Sequence, residues 1–133
     1  MAFGRFVDAM FDDGARQRHL DALMGEPLAQ AHRDLRKSLP QPDRIRIAAH
    51  DGDRLVGYSH GWFEVGGRFY IGSSAVHPDY RRRGVYTRLL RAVEKAVRER
   101  GGIAISSQHV ATNNPVLIAK LKLGYVIAGV EFV

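Results

Sequence analysis

The stretch VHPDYRRRGVYTRLL, residues 76–90, constrains this chain more than any other. An apolar run with β character ends at Val76, a proline follows, three arginines stand at 81–83, and after Gly84 the pattern turns helical. A strand-to-helix junction of this kind aims the unpaired N–H groups of the first turn, and the positive end of the helix dipole, at one point. Gly84 has no side chain to keep an anion away from that backbone. Arg81, Arg82 and Arg83 beside it can add charge-assisted bonds. The combination reads as a cradle for a phosphate or pyrophosphate. A solvated charge run or a localisation signal would need only the arginines, without the strand, glycine and helix around them.

The remaining pattern gives that junction a place in a fold. Helical spacing runs through ARQRHLDALM, with the preceding DDG as a cap, and again through PLAQAHRDLRKSL until Pro40 and Pro42 stop it. RIRIAAH and RLVGYSHGWFE flank the turn Asp51-Gly52-Asp53, EVGGR turns once more, and FYIGSSAV completes a three-stranded meander. Beyond Gly84, Val85, Leu89, Val93 and Val97 recur every four residues as a core-facing stripe, and Gly101-Gly102 closes the helix. IAISSQHV is a short apolar strand; a strand–helix–strand unit of this length favours parallel pairing with FYIGSSAV through a crossover. NPVLIAKLKLG is a short helix with Pro115 near its start and Gly124 at its end, and YVIAGVEFV reads as a last strand. The expected class is α+β, an antiparallel meander continued into a βαβαβ half. No repeat or linker divides the 133 residues, so one domain over 1–133 is expected.

Composition removes several function classes. Without cysteine there is no disulfide framework, no thiolate metal ligand and no thiol nucleophile. The formal charge of +6 suits a polyanionic partner such as nucleic acid or a phosphorylated cofactor, and equally suits simple solubility. No apolar run approaches the roughly 18 residues of a membrane span. Acids interrupt the opening MAFGRFVDAMFDD, where a secretion signal would be apolar. These features point to a cytoplasmic protein without a membrane partner. The six histidines are scattered, with no His-x-x-x-His pair or carboxylate cluster, so no metal is expected.

VHPDYRRRGVYTRLL resembles the acetyl-CoA-binding signature of the GNAT superfamily of N-acetyltransferases, Arg/Gln-x-x-Gly-x-Gly/Ala after a strand ending in Val-x-Pro. Arg81, Gly84 and Tyr86 fall on its marked positions, Tyr86 being bulkier than the family's small residue. NNPVLIAKLKLGY is similar to the family's Asn-x-x-Ala…Tyr-x-x-x-Gly-Phe segment, with Asn113, Gly124 and Tyr125 in register. The resemblance covers residues 44–133 in motif and element order. The helices within 1–40 diverge, and the family's seventh strand has no counterpart before Val133. It implies a mixed sheet, splayed between its two parallel strands, and acetyl-CoA as co-substrate. Ala75, Val76 and His77 would hydrogen-bond the pantetheine arm through their backbone, with the Val76 N–H polarising the thioester carbonyl. Arg81, Arg82, Arg83, Gly84, Val85, Tyr86 and Thr87 would wrap the pyrophosphate, and Asn113 would reach the pantetheine from across the splay.

The catalytic positions depart from the family. FYIGSSAV carries Gly72 and Ser73 where many members place a glutamate. His60 and Glu64 on the neighbouring strand are the candidate general bases, and either also suits a half-exposed strand. Lys120 aligns with the tyrosine that protonates the departing thiolate in the family, although a lysine on a short helix equally suits a surface. The resemblance implies direct attack by a neutral primary amine, on a small molecule or peptide, with no covalent enzyme intermediate. A catalytically silent acyl-CoA-binding domain is the second reading, motivated by Lys120 and the missing carboxylate. A nucleic-acid-binding module on the basic face of residues 86–100 ranks below both, because Glu94 and Glu99 interrupt the stripe and no aromatic platforms interleave it. An apolar last strand near a sheet edge is rarely left unpaired, which suggests a homodimer through that C-terminal edge strand.

Overall fold

A computed structural model describes residues 13–132. The opening stretch read above for a secretion signal falls almost wholly outside them, as does Val133. The elements are α1 (Asp13–Met24), α2 (Glu26–Ser38), β1 (Arg44–Asp51), β2 (Arg54–Phe63), β3 (Arg68–Val76), α3 (Val85–Glu99), β4 (Ala104–Ser106) and α4 (Asn114–Lys122). A single 3₁₀ turn, Pro78–Tyr80, precedes α3. Arg33 clamps the corner between α1 and α2 by bridging Asp21 at 2.9 Å and Glu26 at 2.5 Å.

The sheet runs β1-β2-β3-β4, antiparallel through β3 and parallel between β3 and β4, so the α+β class with a mixed sheet holds. The stripe expected after Gly84 lays α3 across one face. Leu90, Val93 and Val97 meet Ile45, Phe69 and Ile71, while Val85 and Leu89 meet Val76. Tyr86 and Ile47 pack against both clusters. Each fully buried aliphatic side chain contributes roughly 2 kcal/mol, so α3 fixes the position of its own N-terminus against β3.

Two strands depart from the sequence reading. IAISSQHV keeps only Ala104–Ser106 as strand, paired with Arg68–Tyr70. From Ile71 to Val76 β3 keeps its pairing with β2 but has no partner on the β4 side, where the chain leaves at Ser107, so the parallel pair opens into a gap. YVIAGVEFV forms no strand over residues 125–132, and the fifth strand of the expected βαβαβ half is not made. Strand propensity is realised only where a partner takes up the backbone N–H and C=O groups, and β4 offers a ladder just three residues long. Val126, Ile127, Val130 and Phe132 stay exposed, Phe132 at 93%. The edge strand from which a homodimer was expected is therefore not formed among the described residues.

Candidate functional site

The arginine-rich turn is built mainly from backbone. Arg82 has φ 60° and Gly84 φ 75°, two left-handed residues in a short loop. Such alternation curls successive N–H groups into a concave anion-binding nest. The first helical bond of α3 is Arg88 N–H to Gly84 C=O at 3.1 Å, and no side chain caps the helix. The N–H groups of Val85, Tyr86 and Thr87 are thus free of intrahelical acceptors. A Cβ built on Gly84 meets nothing within 4 Å, so the space a side chain would fill lies open over those donors. The residues present fit a pyrophosphate.

The side chains of the turn serve mostly to hold it. Arg81 Nε donates to Val76 C=O at 3.1 Å, tying the loop to the end of β3. Arg83 stacks over the Tyr80 ring at 5.2 Å and Arg54 does so at 5.4 Å, while the Tyr80 hydroxyl donates to Asp51 at 2.7 Å. That bond is the main reason the Tyr80 phenol is pushed up. Val85 is buried, so only its N–H can face a ligand. Tyr86 turns inward against the core, where burial pushes its hydroxyl up to about 12. The bulk expected to crowd the loop is spent on packing instead.

At the end of β3 the expectation of three backbone contacts narrows to one. His77 N–H donates to Val56 C=O at 2.7 Å and His77 C=O accepts from Tyr80 N–H at 2.9 Å, so both groups are used within the fold. Antiparallel ladders alternate inward- and outward-facing backbone. With His77 N–H committed to β2, Ala75 points the same way, and Val76 presents its N–H to the gap. The His77 ring accepts from Asp79 N–H and lies 3.2 Å from Arg54 Nη2, which places it in the turn scaffold. Asn113 caps the start of α4 on the far side of the gap, and its side chain makes no capping bond.

Lys120 sits against Ser107, where the chain leaves β4. It is only 6% exposed, which removes the surface-lysine alternative. Its ammonium donates to Ser107 Oγ and sits 5.4 Å over the Tyr125 ring. None of the described carboxylates pairs with it, and burial holds its pKa down to about 8. Ser107 Oγ also lies 3.0 Å from His109 Nε2, whose pKa is lowered by burial and then by Lys120. Ser107 is the first residue beyond the paired part of β4, so this chain of polar atoms begins where the seam opens. Neither Ser107 nor His109 was singled out from the sequence. The available signal was a pair of polar residues leaving a strand that the fold sets against a lysine thirteen positions later.

His60 and Glu64 separate. His60 pairs across the ladder with Ser73, and its imidazole is held below its ordinary range by burial and then by Arg44 and Arg46. Glu64 is exposed in the β2–β3 turn, beyond Phe63, at the opposite end of β3 from Val76. Between His60 and Gly61 the register shifts, so Gly72 has no partner in β2 and forms a bulge. A Cβ there would fall 2.9 Å from Trp62 Cη2 and closer still to Cζ3. The absent glutamate has this physical reason: the indole ring lies over the bare backbone of Gly72. Among the described residues no group of three or more histidine or acidic side chains could hold a metal ion. No helix of the described residues is long and apolar enough to cross a membrane.

A sheet that opens beside the uncapped, glycine-led start of α3 is the arrangement of an acyltransferase. The family model for the acetyltransferase (GNAT) family matches residues 8–125, and the chain belongs to that family. Among solved structures, the fold is similar to AAC(6')-Iy in complex with a bisubstrate analogue, CoA-S-monomethyl-acetylneamine. That match has 18% identity and a TM-score of 0.63, covering 82% of this chain and 78% of that one. An aminoglycoside acetyltransferase from an uncultured soil metagenomic sample is 28% identical, with a TM-score of 0.60 and coverage of 73% and 68%. The ribosomal-protein-S18-alanine N-acetyltransferase from Escherichia coli is 16% identical, with a TM-score of 0.59 and coverage of 69% and 58%. No curated protein matches.

Proposed function

We propose that this chain transfers the acetyl group of acetyl-CoA to a primary amine by direct attack, without a covalent enzyme intermediate. The observation that carries the reading is continuity: the open cradle over Gly84 follows the stretch of β3 that β4 leaves unpaired, and Lys120 bonds Ser107 at the point where the chain departs from β4. Acetyl-CoA supplies an activated thioester, and this chain's residues position it and move protons. The N–H groups of Val85, Tyr86 and Thr87 hold the pyrophosphate. The Val76 N–H polarises the thioester carbonyl, and one preorganised donor of this kind lowers a barrier by about 3 kcal/mol. Asn113 offers its amide to the pantetheine from the α4 side.

His60 is the better-placed base. Its depressed pKa keeps the imidazole neutral and able to accept the ammonium proton of the incoming amine. Lys120, charged below about pH 8, sets a positive group beside the departing sulfur, with Ser107 and His109 linking it toward solvent. The test is a thermal shift with CoA followed by acetyl-CoA consumption across amines, peptides and polyamines. A ligand at a hundred times its Kd stabilises the native state by about 2.7 kcal/mol, so a rise of several degrees is expected. No shift at millimolar CoA defeats the proposal. A shift without turnover on any amine favours the silent acyl-CoA-binding domain.

A further inference from the structure

The sheet face opposite α3 carries an arrangement that acetyl transfer by itself does not explain. Residues opposed across an antiparallel ladder share a face. The register therefore sets Arg44, Trp62 and Tyr70 in one row and Arg46, His60 and Ser73 in the next. Trp62 and Tyr70 have ring centroids 5.1 Å apart at 50°, and His60 lies 5.8 Å from Trp62. The aromatic pair thus occupies the middle of the face, with Tyr70 directly at the narrow end of the seam opposite Ser106. Two guanidiniums border it on the outer strand. Neither is in an ion pair with a described carboxylate, and the Arg44 guanidinium donates to the Gln41 side chain at 3.2 Å.

We propose that this face receives the acceptor, and that the acceptor is a small aromatic amine carrying a carboxylate, of the aromatic amino acid type. The inference rests on the acetyl-transfer reading and gives it a substrate class. A flat apolar body stacks on the Trp62–Tyr70 pair. An anionic group on the same molecule meets Arg44 and Arg46, whose forked donors match a carboxylate. The same positive charges disfavour an ammonium, so they shift a bound amine toward the neutral form that can attack. A polycationic aminoglycoside meets the opposite conditions here, repelled by the two arginines of the outer strand.

Trp62 is the only tryptophan of the chain, so its fluorescence reports on this face alone. Titrating the full chain with phenylalanine should give a saturable change. Phenethylamine, which lacks the carboxylate, should bind at least tenfold more weakly, and kanamycin should give no change at millimolar concentration. Arg46→Gln, an exposed substitution on the outer strand, should erase the difference between the two aromatic probes, with Arg44→Gln as the second variant. Tighter binding of kanamycin than of phenylalanine overturns the inference, as does a carboxylate preference that survives both substitutions. Absence of any response to the aromatic probes, in a sample whose melting temperature rises with CoA, removes this acceptor class and leaves acetyl transfer standing. Absence of the CoA shift removes both.

Discussion

The two ends of the gap are made differently. At Arg81–Thr87 the atoms proposed to meet the ligand are main-chain N–H groups, held by two left-handed residues and a helix start. At Lys120 the proposed site is made of side-chain atoms, and they come from two separate places along the chain: the Ser107–His109 segment and α4. A backbone cradle tolerates most side-chain changes and fails only when its conformation is lost. A side-chain cluster keeps its shape under the same changes but loses its chemistry when one group goes. Binding should therefore break at the first end and turnover at the second.

Gly84→Val offers the hardest test of that division. A β-branched residue at φ 75° is strained, and its side chain fills the space over the free N–H groups. CoA affinity measured by calorimetry should fall at least a hundredfold. An affinity within tenfold of the parent would show that side chains, not backbone, carry the cofactor.

Lys120→Met should lower kcat by ten- to a hundredfold and leave the CoA dissociation constant within about twofold. It also has a signature in stability. The lysine titrates near 8 in the folded chain and at its ordinary 10.5 when unfolded, so between those values the unfolded state holds the extra proton. Parent stability must then rise as pH climbs from about 8 toward 10. The substituted protein should lack that rise and be the more stable of the two at pH 7, as followed by denaturant melts across pH. A parent curve flat over the same window would mean the ammonium is not desolvated.

A smaller effect is expected where a side chain assists the backbone. Arg81→Ala removes the bond to Val76 C=O, a tie worth about 1 kcal/mol. CoA affinity should weaken by about fivefold, with a modest loss of melting temperature and no change in kcat. Smallest of all is Tyr86→Phe, because the hydroxyl of Tyr86 is buried away from the loop. Its CoA affinity should match the parent, and a loss beyond threefold would place that hydroxyl at the ligand after all.

How far the sequence could be read follows the same division. The strand–turn–helix junction was legible because Arg81–Gly84 specifies its conformation locally, and the stripe from Val85 to Val97 fixes what lies behind it. Sequence spacing does not tell which N–H groups a ladder has already taken, as the His77 N–H bonded to Val56 C=O illustrates. The contact between Trp62 and Gly72 depends on a bulge, and a one-residue register change is invisible until strands are paired. Lys120 could be aligned, but its burial depends on Ser107 and Tyr125 closing over it. YVIAGVEFV has every local mark of a strand, and local marks cannot supply a neighbour.

In mechanical terms, the short ladder between β3 and β4 makes the sheet a plate with a hinged leaf. The hinge is Arg68–Tyr70 against Ala104–Ser106. A latch at the far side of the leaf joins Arg91 to Leu123 C=O at 3.4 Å and the Tyr125 hydroxyl to Glu94 at 3.0 Å. Segments held by so few bonds open first in native-state fluctuations, so the amides of Ile105 and Ser106 should exchange faster than any in β2. A molecule lying along the slot as proposed would touch both plate and leaf. If the latch gates product release, as mobile segments do in many enzymes, weakening it at Glu94 should raise the rate at which CoA leaves, measured by stopped flow.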